Sequence, residues 1–461
     1  MALSDSEDFL KKLADQTFLK LWAIPNTFYK KGKELADLVI PFGDDIIIIS
    51  DKASNFDTDA HGERAWSRWY GGAVEKSVAQ LAGALRTVTL RPEIVSLDAK
   101  LSEPMPLPLN EAGRRRIHLV GIARPGRDPS KTPADWEGLI YVSGETHEPF
   151  KICKLIVQDR IVHVFDGPTI NLLLKELDTV SDFVSYLKGR EAALLAADNY
   201  AFAEKDLLGA ALIGCETDPL GLPSVPPLDA VVPGLWDMYN SSKRVQVRRE
   251  LDEPSRVIDR YINQQYEEFL GKRFLGEKPT FAQHENAMGL LAAEGRFARR
   301  IIAHELYDLL GEEDETTFWA TTLRSPTTPR LRYVWMTYPP RPSDISEEQG
   351  DMACLTYMRQ HVVVAEALFE EELVMGICVP NWEGYGRVLG GAQSRYGEGA
   401  HLAVPALRKD GRQISIEFTI LPIHDDAGSL RGIAAFLRDA TDRFEEVRAL
   451  RRELAASKQN R

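Results

Sequence analysis

The sequence predicts an α/β protein, because it contains a strong β-hairpin, a helix after it and a later β-α-β pattern. Two apolar runs, LADLVIPF and IIIIS, flank a turn at Gly43-Asp44-Asp45 within the segment Lys33 to Lys52, which is typical of two paired strands. From Ala65 to about Leu85 the apolar residues recur at helical spacing, interrupted at Gly71-Gly72. The hairpin is the strongest local signal in the chain.

The β-α-β pattern lies in the second half of the chain. It consists of LRYVWMTYP from Leu331, a helical stretch from about Glu347 to Glu370, and LVMGICVP from Leu373. Two β-rich runs joined by a helix predict a parallel pair of strands.

Length and composition indicate a folded protein with several cores. The chain has 461 residues, of which 44% are hydrophobic and 27% charged. Domains usually have about 100 to 200 residues, so two to four are expected. The formal net charge of -13 excludes a global positive field, and any contact with nucleic acid must come from a local basic patch.

The cysteines and the N-terminal residues predict a cytoplasmic protein without a membrane partner. Cys153, Cys215, Cys354 and Cys378 are scattered and form no CxxC pair, which indicates neither a zinc site nor a disulfide framework. No stretch approaches eighteen uninterrupted apolar residues, and the start of the chain lacks the apolar region of a signal peptide.

The pattern along the chain predicts four regions. Residues 1–200 are expected to form an α/β domain that begins with an amphipathic helix over residues 4–22 and ends with a helix from Asp178. A Pro-rich linker starts at residue 216, and residues 216–380 are expected to hold a helical region, about Ser242 to Leu310, and the β-α-β unit. Residues 381–443 read as helix, strand, turn and strand, and residues 444–461 as a charged helical tail.

The hairpin carries residue types suited to phosphodiester hydrolysis. Asp37 lies near the head of the first strand, and Asp51 and Lys52 end the second. Carboxylates hold a hard divalent cation, and a lysine can orient or deprotonate water. Because the turn brings the strand ends together, Asp37 and Lys52 are expected within about a side-chain length of each other.

This arrangement resembles the PD-(D/E)xK nuclease superfamily, with Asp37, Ser50 and Lys52 at the matching positions. The resemblance implies a restriction-endonuclease-like core and a Mg²⁺- or Mn²⁺-dependent nuclease. Ser50 stands where the superfamily has a second carboxylate, and serine is a poor metal ligand. GKELADLVIPFGDDIIIISDK with AWSRWYGGAVEKSVAQL also resembles a bacterial family of uncharacterised proteins with this nuclease-like fold, to about Pro380.

Three residues are alternatives for the missing ligand. Side chains alternate along a strand, so Asp51 points away from Ser50 and Lys52 unless a bulge re-aims it. Glu34 could replace the carboxylate if the chain there is helical or bulged, and Glu7 on the first helix is a weaker alternative.

Two further sets of side chains could serve the same chemistry. Lys76 and Gln80 are spaced i, i+4 on the helix after the hairpin, and this helix resembles the one that carries Lys or Gln near the scissile phosphate in related nucleases. Arg114, Arg115 and Arg116 form the core of the densest basic stretch in the first half and predict a contact with backbone phosphates. A solvated face is the alternative reading of both sets.

The C-terminal segment resembles the second half of a PAS domain. A strand is expected after Lys409-Asp410-Gly411, then a hairpin turn from Asp425 to Gly428 and a closing strand ending near Asp439. The front half of a PAS domain is absent, so no complete cofactor pocket is expected. The segment is either a fusion remnant or docking appendage without a ligand, or its exposed sheet edges associate with a second chain, as in a homo-oligomer.

Three functions remain open from the sequence. The first is a Mg²⁺- or Mn²⁺-dependent nuclease in which Asp37 and Asp51 or Glu34 bind the metal, and Lys52 and Gln80 assist. The second is a binding or scaffold protein with an inactive nuclease-like fold, and the third is a sensor whose PAS-like segment governs association.

Overall fold

The computed structural model describes the chain in segments, which fall into two compact units, Met1–Ala392 and Gln393–Arg461. The described residues are 17–56, 62–109, 115–126, 138–215, 218, 220–271, 279–310, 318–339, 344–369, 373–380, 389–390, 401–407, 413–424 and 430–439.

The first unit begins with a short helix and a three-stranded meander. Helix α1 (Leu19–Trp22) leads into β1 (Ile24–Lys30), β2 (Lys33–Phe42) and β3 (Asp45–Ala53), which pair antiparallel in that order. The predicted hairpin is therefore confirmed. The predicted helix over residues 4–22 lies outside the described residues except at its end.

Strand β3 is central, and its sequence explains why. Ile46 to Ile49 are all at most 1% exposed, because both faces of the sheet are covered, and a continuous apolar run suits such a strand. For this reason β3 does not show the alternation of apolar and polar residues that is typical of a strand with one exposed face.

A helical connection follows β3 and returns the chain parallel to it. It consists of α2 (Gly62–Tyr70), a π-helical turn (Gly71–Glu75) and α3 (Lys76–Leu90), and the π turn begins at the two glycines where the sequence predicted an interruption. Strand β4 (Arg116–Arg124) then pairs parallel with β3.

The sheet is completed by a second parallel strand and a short edge strand. Next along the chain come β5 (Ile140–Val142), β6 (Lys151–Ile152), β7 (Leu155–Val157) and β8 (Arg160–Asp166). The order in the six-stranded mixed sheet is β1-β2-β3-β4-β8-β7, whereas β5 pairs with β6 and with β9 (Ala201–Ala203) in a small separate sheet.

Helices α4 (Gly167–Glu176), α5 (Val180–Ala196) and α6 (Glu204–Cys215) follow the main sheet. Asp166 caps α4 by accepting the Thr169 N–H at 2.8 Å, and Thr179 caps α5. The sequence predicted α5 from its periodicity, but it missed α4 and α6. Helix α6 is apolar throughout after its first turn, which weakens the periodic signal. Helix α4 has only ten residues and begins with Gly-Pro, so it offers little periodic sequence.

A helical region occupies the middle of the chain, as predicted, and it begins at Leu235, seven residues before the expected start. It contains α7 (Leu235–Asn240), α8 (Lys243–Asp252), α9 (Arg256–Leu270), α10 (Phe281–Ala292) and α11 (Arg296–Leu310). Buried Arg296 pairs with Asp178 at 2.7 Å and with Asp259 at 2.8 Å. These ion pairs fasten α11 to the start of α5 and to α9.

The predicted β-α-β unit is confirmed, with one strand added. Strand β10 (Trp319–Arg324) pairs antiparallel with β11 (Leu331–Tyr338), and α12 (Glu347–Leu368) connects β11 to the parallel strand β12 (Leu373–Pro380). A two-residue strand, β13 (Leu389–Gly390), pairs with β12. The buried thiols of Cys354 and Cys378 lie in the apolar cluster between α12 and this sheet.

The second unit contains an antiparallel three-stranded sheet. Strands β14 (His401–Leu407), β15 (Gln413–His424) and β16 (Leu430–Asp439) pair in sequence order. The two strands expected on either side of the Asp425 turn are present, and β14 was not expected. The tail over residues 444–461 lies outside the described residues.

The coarse class is thus confirmed as a mixed α/β fold with a six-stranded mixed sheet. The restriction-endonuclease-like and PAS-like types, and the domain boundaries near residues 200, 216 and 380, stay predictions. None of the described helices combines the length and apolar composition of a membrane-spanning segment.

Candidate functional site

The carboxyl end of β3 gathers the polar residues of the hairpin on one face of the sheet. The pairing of Leu38 with Ile49 places Asp37 beside the level of Ser50, and strand alternation keeps Ser50 and Lys52 on one face. Helix α3 covers this face, since the Ser77 hydroxyl on α3 donates to the carbonyl of Ser50 at 3.2 Å.

Asp37 and Lys52 form an ion pair in this region. Lys52 Nζ lies 3.1 Å from Asp37 Oδ2, which also accepts the backbone N–H of Asp51 at 2.8 Å. The side chain of Asp37 is 16% exposed and that of Lys52 29%. The expected proximity of the two residues is confirmed.

The pKa of Asp37 is raised by burial of its carboxyl group, and the neighbouring Lys52 ammonium opposes that rise. Burial penalises the charged form of a carboxyl group, while an adjacent cation favours it. The Asp37 carboxylate therefore depends on a cation beside it, whether Lys52 or a metal ion.

Gln80 reaches the same face from α3. Ser50 is fully buried, and its hydroxyl donates to Gln80 Oε1 at 2.8 Å. Ser50 is thus a hydrogen-bond partner of helix α3 through the Gln80 amide. Lys76, one turn earlier on α3, is exposed.

The carboxylate of Asp51 is not directed to the Asp37–Lys52 pair. Its carboxylate accepts from Arg124 on β4, with Nε at 2.8 Å from Oδ1 and a second, shorter contact from Nη2 to Oδ2. The pairing of β3 with β2 and β4 is regular, so β3 has no bulge that would turn Asp51 to the other face. The alternation that points Asp51 away holds throughout the strand.

Glu34 lies on β2 opposite Phe28, on the far side of a register irregularity. Thr27 pairs with Ala36 and Phe28 with Glu34, so Leu35 is an extra residue in β2. The bulge that the Glu34 hypothesis required is therefore present, and Glu34 stays a predicted ligand. Glu7 lies outside the described residues.

The basic stretch is remote from the Asp37–Lys52 pair. Arg116 pairs in register with Asp45 at the start of β3, and Lys52 is seven residues further along that strand, a distance of about 23 Å at the usual rise per residue. Arg115 precedes β4 at the same end, and Arg114 lies outside the described residues. A substrate bound at Asp37 does not reach Arg116 without spanning the sheet.

Sequence reasoning missed a polar network at the amino ends of the parallel strands, on the face covered by α5. His118 on β4 lies between two carboxylates, with Nε2 3.0 Å from Asp45 Oδ1 and Nδ1 2.7 Å from Glu191 Oε1. His163 on β8 lies 3.1 Å from Glu191 Oε1 through Nε2 and 3.1 Å from Arg190 Nη1 through Nδ1. Both histidines lie within apolar strand sequences, and no local pattern indicates that they meet across two strands.

Opposite pKa shifts follow from these surroundings. The Asp45 and Glu191 carboxylates raise the pKa of His118 against the effect of its burial, whereas burial lowers the pKa of His163 to about 4. The hydrogen bonds of Glu191 to the histidines lower its own pKa to about 2. His118 is thus the charged histidine and His163 the neutral one.

The donor atoms of His118, His163 and Glu191 lie within 4.8 Å of one another, close enough to share a metal ion. Arg190 opposes that use of the cluster. A guanidinium can only donate, so Nδ1 of His163 must accept and Nε2 must carry the proton that faces Glu191. The geometry therefore favours a hydrogen-bonded network, and it argues against His163 as a metal ligand.

Comparison with known protein families, with curated proteins and with solved structures gave no match.

Proposed function

We propose that the chain is a metal-dependent nuclease whose site is centred on Asp37 and Lys52. The observation that carries the proposal is the 3.1 Å contact between these two side chains at one end of the hairpin, with Ser50 and Gln80 beside them on the same face. A parallel strand reached through a helix, next to an antiparallel hairpin, supports the nuclease-like reading of the fold.

The residues present fit a weakly held Mg²⁺ or Mn²⁺ ion. Mg²⁺ keeps several waters and is commonly bound through one or two carboxylates together with phosphate oxygens of the substrate. Asp37 would supply the carboxylate, and the amide oxygen of Gln80 would supply a neutral ligand. The ion would neutralise charge on the scissile phosphate.

Lys52 would act on the attacking water. Its ammonium group lies at the Asp37 carboxylate, where it can orient a water molecule and offset the negative charge that develops on the phosphate. In hydrolysis the water oxygen bonds to phosphorus, the bond to the leaving oxygen breaks, and a proton ends on that oxygen. Lys52 would offset the negative charge directly, and Asp37 would do so by holding the metal ion.

The test is cleavage of single-stranded, duplex and branched DNA and RNA with Mg²⁺ and with Mn²⁺. Asp37→Asn and Lys52→Met should each lower the rate at least about 100-fold, the scale of positioned acid-base and electrostatic groups. Asp44→Asn is the matched control, because Asp44 is exposed on the turn of the same hairpin. Circular dichroism should report a folded protein in each case.

Variants that add a carboxylate next to Asp37 make this test more specific. Gln80→Glu and Ser50→Glu should each tighten Mn²⁺ binding, since each adds a carboxylate on the face of Asp37. Ala79→Glu, on the exposed face of the same helix, adds the same charge elsewhere and should leave Mn²⁺ binding unchanged. No metal-dependent cleavage by the wild type and by both restored variants would contradict the nuclease proposal.

A specific observation favours a second function, a non-catalytic nucleic-acid-binding protein. The Asp51 carboxylate is paired with Arg124, and the Ser50 hydroxyl is bonded to Gln80. Among these residues, Asp37 is therefore the carboxylate that lies beside Lys52. Binding of nucleic acid that survives Asp37→Asn, without cleavage, would support this alternative.

A further inference from the structure

A depression at the amino ends of β4 and β8 is separate from the Asp37–Lys52 pair. Its volume is about 240 Å³, and it is open to solvent on one side. Strands β4 and β8 are parallel neighbours, so the residues at the start of each strand meet at this edge. The polar residues of its lining are Arg116, Asp159, Arg160, Lys188 and Glu191.

The carboxylates around the depression are largely matched by cations of the protein. Glu191 accepts from His118 at 2.7 Å, and its low pKa keeps it ionised. Lys188 of the lining pairs with Asp45 at 2.7 Å. Neither of these two carboxylates is left to neutralise the arginines.

Arg116 and Arg160 are the unmatched charges. Both are exposed, and no described carboxylate lies within ion-pair distance of either guanidinium. Asp159, which is also in the lining, has no ion-pair partner among the described residues either. Two arginines against one such carboxylate leave a net positive charge at the depression.

Arg160 is presented by a tight turn with a strained backbone. Gln158 and Asp159 connect β7 to β8 with φ values of 47° and 65°, the left-handed conformation that residues with a side chain rarely adopt. This turn fits the twist of a two-residue hairpin. It fixes Arg160 at the first position of β8, next to the strand that begins with Arg116.

We propose that this depression binds the phosphate group of a small molecule, with Arg116 and Arg160 as the principal contacts. Guanidinium groups match phosphate oxygens with paired hydrogen bonds. Lys188, with its side chain 38% exposed, also lines the depression, but its charge is matched by Asp45. The volume of about 240 Å³ is below that of a pocket for a drug-sized ligand, which favours a small oxyanion.

The inference is independent of the nuclease proposal. The start of β4 is about 23 Å from the level of Lys52, at the usual strand rise, so the two centres do not share one phosphate group. A protein without nuclease activity would still bind phosphate in the depression.

The experiment is calorimetric titration of the full chain with inorganic phosphate, with pyrophosphate, and with a duplex oligonucleotide as the competing source of phosphate. Wild-type protein should bind inorganic phosphate with saturation, and phosphate should raise its melting temperature. Arg116→Gln and Arg160→Gln should each weaken binding about 10-fold, and the double variant should abolish it. Arg260→Gln is the matched control, since Arg260 is exposed on α9, and it should bind as the wild type does.

Two results would overturn the proposal. One is phosphate affinity that stays unchanged in the Arg116→Gln, Arg160→Gln double variant. The other is tight binding of the oligonucleotide, lost in that double variant, when neither inorganic phosphate nor pyrophosphate binds to the wild type; this assigns the arginines to nucleic acid. Melting temperatures measured without phosphate identify a variant that fails to fold. In that case Arg→Lys variants at the same two positions replace the Gln variants. They keep the charge but lose the paired hydrogen bonds, so their phosphate affinity should be intermediate.

Discussion

The two histidines at the amino ends of β4 and β8 have opposite protonation preferences within 4.8 Å of one another. The raised pKa of His118 arises from Asp45 and Glu191, and the lowered pKa of His163 arises from burial. Arg190 reinforces the neutral form of His163, since it needs an acceptor there. Adjacent groups in one network therefore contribute to stability in different pH ranges.

The pH dependence of stability follows from these shifts. The raised pKa of His118 gives a stabilisation that is complete below its ordinary value of 6.5 and is lost as pH rises through the folded-state value. The lowered pKa of Glu191, about 2, gives a stabilisation that is present above its ordinary value of 4.5 and is lost toward pH 2. His163 adds a loss of stability as pH falls from 6.5 to about 4.

The substitution His118→Gln should remove the loss of stability that the wild type shows as pH rises above 6.5. We expect the free energy of unfolding to fall by about 1–3 kcal/mol near pH 6, the scale of hydrogen bonds to charged groups. The wild type should lose stability from pH 6.5 upward, and the variant should not. Urea denaturation at intervals from pH 5 to pH 9 measures this, and parallel profiles for the two proteins would contradict it.

At the scale of elements, the contact between α3 and β4 sets the position of Gln80. Gly121 lies under Ser77, and a Cβ at residue 121 would come within 2.9 Å of the Ser77 hydroxyl oxygen. That hydroxyl donates to the carbonyl of Ser50, so it cannot swing away without losing a buried hydrogen bond. The absence of a side chain at Gly121 allows α3 to approach the sheet closely enough for Gln80 to contact Ser50.

Gly121→Ala should destabilise the fold by about 1–3 kcal/mol, the usual range for overpacking. Ser77→Ala removes the clashing oxygen, so the double variant should be more stable than the sum of the two single effects predicts. Gly83→Ala on α3 is the control, because nothing lies within 4 Å of its added Cβ. Thermal unfolding of the four proteins decides the matter, and strict additivity would refute the proposed contact.

At the scale of the whole molecule, the first unit has its own apolar core. The larger buried cluster extends from Phe18 to Ile377, and the smaller one joins α12 to the sheet of β11 and β12. All of these residues belong to Met1–Ala392. The core of this unit draws on the middle helical region as well as on the main sheet.

A protein ending at residue 392 should therefore fold by itself. We expect its melting temperature to lie within about 3 °C of the full chain, a difference that corresponds to about 2–3 kcal/mol for a unit of this size. Differential scanning calorimetry measures it, with sedimentation to report any change in oligomeric mass. A loss of cooperative unfolding would indicate that the core needs residues 393–461.

The sequence by itself determined the elements whose signals are local. The Lys33 to Lys52 hairpin, the interruption at Gly71-Gly72 and the β-α-β unit were predictable, because turn residues and apolar spacing act over a few neighbours. The proximity of Asp37 and Lys52 followed from the same hairpin, since antiparallel pairing fixes which residues meet. Helix α6 was not predicted because it is apolar throughout after its first turn and so lacks periodicity, and α4 was not predicted because it has only ten residues.

The tertiary structure alone decided which side chains meet across elements. Arg124 reaches Asp51 because β4 pairs parallel with β3 in register. His118 and His163 meet Glu191 because α5 crosses the amino ends of strands that lie far apart in sequence. Such contacts depend on the register and packing of distant segments, which no local pattern encodes.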